Sequence, residues 1–224
     1  MSNLVMEAKD VKRAFPVGGG EFWALKGISL TVAENRLTIL KGRSGSGKTT
    51  LMNMLGMLDY PTSGEVIFDG QSRFSEKKRD LLRRNQMGFV FQSVALIGMM
   101  SAFENVEFML RLNKVSAAER KARAEHCLER VGLAPRMRHM PSELSGGEQQ
   151  RVAIARAIAH RPKIIFADEP TAELDTHTGL QVIKIFKDLI EQEGATIVMT
   201  THDPGLMEVA DKVYELADGE IING

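Results

Sequence analysis

The chain has 224 residues, 43% of them hydrophobic and 26% charged, enough to bury a real core and to exclude a disordered or fibrous protein. Lys+Arg 29 balances Asp+Glu 29, so no net basic field draws the chain to nucleic acid, and the single cysteine, Cys127, excludes an internal disulfide or a cysteine-based zinc cage and points to a reducing compartment. The charged N-terminal stretch lacks the apolar segment of a signal peptide, and no run approaches the roughly 18 apolar residues of a membrane span.

In chain order, residues 27–33 read as a strand of antiparallel or hairpin type. Residues 37–40 are a short apolar run ending in Gly42, Arg43, Ser44, Gly45, Ser46, Gly47, Lys48 and Thr49, which fits the G-x-x-x-x-G-K-[ST] pattern in full. Glycines there let successive N–H groups turn inward on phosphate oxygens, and Thr50, next in the chain, is expected among the nucleotide-binding residues. Lys48 supplies a cation for β- and γ-phosphates, Thr49 a hydroxyl for Mg²⁺, and the helix beginning near Lys48 its positive end. The loop therefore predicts binding of a nucleoside triphosphate.

Residues 64–70 read as a further hairpin strand, 76–84 as a solvated helix face, and 88–91 as a strand running into Gln92. The stretch 93–150 reads as mostly helical. Within it, 116–131 opens with a capping box of Ser116 and Glu119 and stops at Gly132. A second box, Ser145 and Glu148, opens 145–160, which halts before Pro162. Residues 164–167 deliver two acids at a strand end: Asp168 to hold Mg²⁺, and Glu169 as general base or as the group orienting an attacking water. Residues 178–192 carry Leu180, Ile183, Phe186 and Ile190 on one stripe and end at Gly194. Residues 197–201 run into His202, and 213–222 form a hairpin around Asp218 and Gly219. Short, continuously apolar strands alternating with helices predict an α/β fold with a largely parallel sheet, its ligand site at the carboxyl ends of the strands.

The run Leu144-Ser145-Gly146-Gly147-Glu148-Gln149-Gln150-Arg151 resembles the LSGGQ signature of ATP-binding-cassette (ABC) ATPases, and the other motifs stand in that family's order over essentially the whole chain. The resemblance implies a single cassette domain over 1–224: a P-loop NTPase core with a mostly parallel sheet, an N-terminal antiparallel β subdomain and an inserted helical subdomain near 93–150. It implies ATP hydrolysis with Mg²⁺, using Lys48, Glu169 and His202, the last as the switch histidine at the γ-phosphate. By the same resemblance Phe15 takes the adenine-stacking position, with Trp23 as its aromatic rival, and Gln92 the Mg²⁺-touching Q-loop position. Asp175 matches the D-loop, and Ser145, Gly146, Gly147 and Glu148 complete the ATP site of a second ATPase subunit in a head-to-tail homodimer.

Segments such as MLGMLDYPTSGEV, GFVFQ and VAIARAIAHRPKIIFADEPTAELD look most like the subfamily of macrolide exporters and lipoprotein-release ATPases. That likeness implies a transmembrane permease subunit on a separate chain and residence at the cytoplasmic face of the inner (plasma) membrane. Nucleic acid is not an expected partner. A membrane-docked regulator of cell-envelope enzymes shares every motif; a nucleic-acid-associated ABC ATPase is disfavoured by the short interval between Lys48 and Leu144. Phe15 in place of tyrosine keeps a π-face. Asn35 in place of glycine is a residue that accepts left-handed backbone, and 96–100 lacks the family's usual proline, with Met99 and Met100 as candidate contacts to the membrane partner.

Overall fold

A computed structural model describes residues 3–224. The elements in order are β1 (Leu4–Val17), β2 (Gly20–Ala33), β3 (Leu37–Lys41), α1 (Lys48–Leu55), β4 (Ser63–Phe68), α2 (Glu76–Gln86), β5 (Met87–Val90), α3 (Ala102–Leu112), α4 (Ala117–Arg130), α5 (Gly146–Ile158), β6 (Ile164–Asp168), α6 (Thr176–Glu193), β7 (Ile197–Thr200), α7 (Pro204–Glu208), β8 (Lys212–Ala217) and β9 (Glu220–Asn223). They fall into two compact units: the residues up to Asp80 with Ile190–Gly224, and Leu81–Leu189.

In the first unit an antiparallel sheet runs β2-β1-β4, and strands β7, β3, β8 and β9 lie in that order. β3 pairs in parallel with β7 on one side and β8 on the other, while β8 turns back antiparallel into β9. Leu37, Ile39 and Leu40 are fully buried, as a strand covered on both faces requires. Asp218 (φ 48°) and Gly219 (φ 81°) both take positive φ, the type I′ hairpin turn that an Asp-Gly pair favours. Asn35 is left-handed (φ 57°), as its residue type suggests, and its N–H donates to Thr196 Oγ1 at 2.9 Å. No alternating pattern in the sequence marks a strand before residue 27. β1 lacks one because register shifts between Ala8 and Val11, with Asp10 at φ 46°, break the two-residue alternation that would mark a strand.

In the second unit β5 and β6 pair in parallel, and the Phe89 ring stacks on Phe166 (centroids 5.6 Å apart) and on Phe91 (5.9 Å). α3 begins with a full capping box of Ser101 and Glu104. The box expected at Ser116 is only half made: its hydroxyl accepts the Glu119 N–H at 3.4 Å, while the Glu119 carboxylate turns to Arg123 at 3.8 Å. α6 starts two residues before the expected position and is rotated. Its buried stripe is Gly179, Val182, Ile183, Phe186 and Leu189, leaving Leu180 59% exposed. Gly194 (φ 60°) ends it, with its N–H bonded to the Ile190 carbonyl. Among the described residues no helix is long and apolar enough to cross a membrane.

Candidate functional site

The first unit assembles one set of predicted residues by strand register. Leu40 of β3 pairs with Thr200 of β7, so Gly42 and His202, each two residues further on, emerge at the same carboxyl edge. The loop after β3 folds into a tight turn, with the Ser46 N–H donating to the Arg43 carbonyl at 3.1 Å. Gly47 (φ 101°) is fixed by space as well as by backbone: a Cβ there would lie 2.7 Å from the Ala24 carbonyl oxygen. Gly219 of the β8–β9 turn donates to the Ser46 carbonyl at 3.1 Å and accepts the Lys26 N–H at 2.9 Å, pinning the loop against β2.

Lys48 is only 5% exposed, and its ammonium donates to the carbonyls of Gly42 (2.7 Å) and Arg43 (3.2 Å). α1, which Lys48 begins, has no side-chain cap and no acid in its first turn. Ser46 Oγ is buried with no hydrogen-bond partner. A buried cation, an uncapped helix start and an orphaned hydroxyl converge on one loop, and these residues fit a bound polyphosphate. Arg43, Ser44, Gly45 and Thr49 are exposed around it, and Thr50 is half-buried. His202 is exposed, one residue before Asp203, whose carboxylate caps α7 through the Leu206 N–H at 2.9 Å.

Phe15 lies half-buried on β1 directly opposite Phe22 of β2. Trp23 pairs opposite Ala14 and so belongs to the other face of the sheet.

The second unit assembles the other set. Val90 pairs with Ala167, so Gln92 and Glu169 follow two residues beyond at one carboxyl edge, with Asp168 between Ala167 and Glu169. Asp168 offers the hard oxygen that a divalent cation takes, and that donor fits Mg²⁺. Glu169 is held at φ 42°, a left-handed conformation that costs a non-glycine residue on the order of 1–3 kcal/mol. A turn closed by the Ala172 N–H on the Glu169 carbonyl (3.1 Å) keeps it there. Exposed Gln92 lies between two carbonyls tied to α5, Phe91 by Gln150 Nε2 (3.4 Å) and Ala95 by the Arg156 guanidinium.

At the start of α5 the expected capping box is complete. The Ser145 N–H donates to Glu148 Oε2 (2.9 Å), and the Glu148 N–H to Ser145 Oγ (3.2 Å). The Ser145 N–H, with smaller contributions from its hydroxyl and from Arg136, holds the Glu148 carboxyl below the usual carboxylate range. That carboxylate is thus engaged with its own helix. Gly147 packs so closely on α6 that a Cβ would collide with the Thr178 methyl, whereas Gly146 has open space around it. Asp175 accepts the Thr178 N–H at 3.0 Å, and the Thr178 hydroxyl and N–H hold its carboxyl low. Thr178, which no sequence motif marks, therefore joins the predicted Asp175 and Gly147. Phe22 and Gly219 are likewise new to the site, since only a through-space contact marks them.

The ABC transporter family profile matches residues 25–172. An uncharacterized ABC transporter ATP-binding protein of Methanocaldococcus jannaschii is 47% identical, with 97% of this chain and 98% of that protein aligned. The lipoprotein-releasing system ATP-binding protein LolD 2 of Rhodopirellula baltica is 43% identical over 96% of this chain and 88% of its own. The macrolide export ATP-binding/permease protein MacB of Syntrophobacter fumaroxidans is 44% identical over 97% of this chain, which spans only 31% of MacB. Among solved structures, a dimer of the ATP-binding cassette MJ0796 in a post-hydrolysis state with ADP and Pi aligns with a TM-score of 0.90 and 39% identity over 97% of each chain. The chain belongs to the ABC transporter family.

Proposed function

We propose that this protein is the ATP-hydrolysing subunit of an ABC transporter, a single cassette whose ATP-driven closure as a head-to-tail homodimer is coupled to a separate transmembrane permease. The work done there is export, extraction or mechanotransmission at the cytoplasmic face of the inner membrane. The observation that carries this reading is the cradle at Gly42–Thr49, where a buried ammonium, an uncapped helix start and an orphaned Ser46 hydroxyl meet. The homology to LolD 2 and MacB supports the membrane partner, and the dimeric MJ0796 cassette supports the homodimer.

In this reading Lys48 and the first N–H groups of α1 bind the β- and γ-phosphates, and Phe15 stacks on adenine. Thr49, Asp168 and Gln92 hold Mg²⁺, which when bound neutralises charge on the phosphate oxygens. Glu169 accepts the proton of the attacking water or orients it, while His202 contacts the γ-phosphate. Ser145, Gly146 and Gly147, with Glu148 fixing their helix start, complete the site of the second subunit, and Asp175 lies beside them.

The test is Glu169→Gln. Gln is nearly isosteric and cannot take a proton, so phosphate release is expected to fall by at least ~100-fold. Light scattering should then register an accumulating ATP-bound dimer, because ligand binding favours the closed state and turnover no longer clears it. A variant that keeps about a tenth of the wild-type rate or more would remove Glu169 from the chemistry.

A further inference from the structure

We propose that Arg13 is a positioning residue for the nucleobase: pinned by Asp59, its guanidinium backs one face of Phe15 and commits the base to the other. The inference rests on the reading of Phe15 as the stacking residue and adds what holds that ring. Arg13 Cζ sits 4.6 Å from the centroid of the Phe15 ring. Its Nη2 lies 2.7 Å from Asp59 Oδ2, an ion pair whose partners are 23% and 32% exposed. Arg13 Nε is buried without a hydrogen-bond partner, and the negative face of the Phe15 ring is the aromatic surface beside this partly desolvated cation.

Asp59 is itself immobilised. Its Oδ1 accepts the Tyr60 N–H at 2.7 Å, and its carbonyl accepts Arg79 Nη2 at 2.5 Å. The Arg79 guanidinium lies 3.8 Å over the Tyr60 ring, and the Tyr60 hydroxyl bonds the Glu76 carboxylate. Asp59 follows the end of α1, the helix that starts in the phosphate cradle. One short element thus joins the group that takes the phosphates to the group that fixes the aromatic ring. A cation on one face draws π-density toward itself, leaving the opposite face better suited to an electron-rich purine. It also holds the ring in one orientation, which lowers the ordering cost of binding.

Calorimetric titration of the whole protein with ATP and with inorganic tripolyphosphate separates base from phosphate. Arg13→Met is expected to weaken ATP binding about three- to fivefold and to leave tripolyphosphate affinity within about twofold. Asp59→Asn, which keeps the cation and loses its pin, should show the same selective loss in smaller degree. In a Phe15→Ala background, Arg13→Met should cost nothing further, because the two residues act as one unit. Selective loss in Phe15→Ala with none in Arg13→Met or Asp59→Asn would overturn the Arg13 role and leave the Phe15 reading standing. No loss in Phe15→Ala would remove both. Equal loss for ATP and tripolyphosphate in Arg13→Met would also overturn the role, since its effect would then lie outside the base.

Discussion

The contact between Gly147 and Thr178 makes Gly147→Ala a quantitative test of how the signature helix is seated. Gly147 already lies in α5 with helical backbone, so alanine meets no conformational barrier and would gain on the order of 1 kcal/mol from better helix propensity. Space decides against it. The new methyl would overlap Thr178 Cγ2 and lie 3.2 Å from Thr178 Cβ. Thr178 cannot swing aside freely, because it is β-branched and its hydroxyl is bonded to Asp175. Either α5 shifts off α6, an overpacking cost of about 1–3 kcal/mol, or Thr178 rotates and gives up a hydrogen bond to a carboxylate worth about 1.5–3 kcal/mol. Net of the propensity gain, a destabilisation of about 1 kcal/mol and at most about 2 kcal/mol is expected, read as a lower urea midpoint at unchanged m-value. ATP-dependent dimer formation should fall with it. Thr178→Ser removes the methyl and keeps the hydroxyl, so the double variant should recover most of the stability. Wild-type stability in Gly147→Ala, or a double variant no more stable than the single, would refute the packing argument.

Two further outcomes can be measured directly. Ser145→Arg removes an N-cap worth about 1 kcal/mol and sets a long cation at the start of α5, so the monomer should fold and bind ATP yet run as a monomer on sizing chromatography with Mg-ATP; a normal ATP-dependent dimer with full turnover would count against a composite site. Burial, aided by Arg123 and only partly offset by the Met87 carbonyl, pushes the His160 imidazole below its ordinary value, so His160 stays neutral in the fold. Its lower folded pKa means stability is complete above the unfolded value of about 6.5 and is lost as pH falls through the folded one; a His160→Gln variant should show a flatter decline of urea midpoint between about pH 7 and 5, and an unchanged slope would rule His160 out as the source.

What the sequence made legible was whatever lies contiguous along the chain. Strands β3, β5, β6 and β7 are continuous apolar runs because both their faces are covered, and each ends where a candidate site residue or loop begins. The Asp218–Gly219 turn was legible because few dipeptides accept two successive positive φ values. Its docking on the phosphate loop was not, since the Gly219–Ser46 bond joins distant segments. Leucine at helical spacing suggests a core stripe through Leu180, whereas the buried face of α6 runs through Gly179, Val182, Ile183, Phe186 and Leu189. Arg13, Phe22 and Thr178 bear no motif at all. Each matters through a partner across a strand pair or a helix crossing, and such pairs are specified by register and packing.

The helix starts suggest how folding and ligand binding are linked. Ser101, Ser116, Ser145 and Asp203 each cap a helix with a side-chain oxygen, satisfying one of the N–H groups that every helix leaves unpaired. α1 has no such cap, and it cannot acquire one, because at Gly47 both the left-handed backbone and the Ala24 carbonyl 2.7 Å away oppose any side chain. The fold forgoes about 1 kcal/mol of cap stabilisation at that one end. An anion bound there does for α1 what Ser145 does for α5, with two differences: its charge is larger, and it can leave. Lys48, folded onto the carbonyls of Gly42 and Arg43, holds the loop meanwhile by hydrogen bonds that a bound phosphate competes for directly. In the proposed reading, nucleotide occupancy is therefore coupled to the stability of the loop and of α1, and that coupling grows with ligand concentration above its dissociation constant. In that reading the loop that takes the phosphates is also the element left uncapped without them.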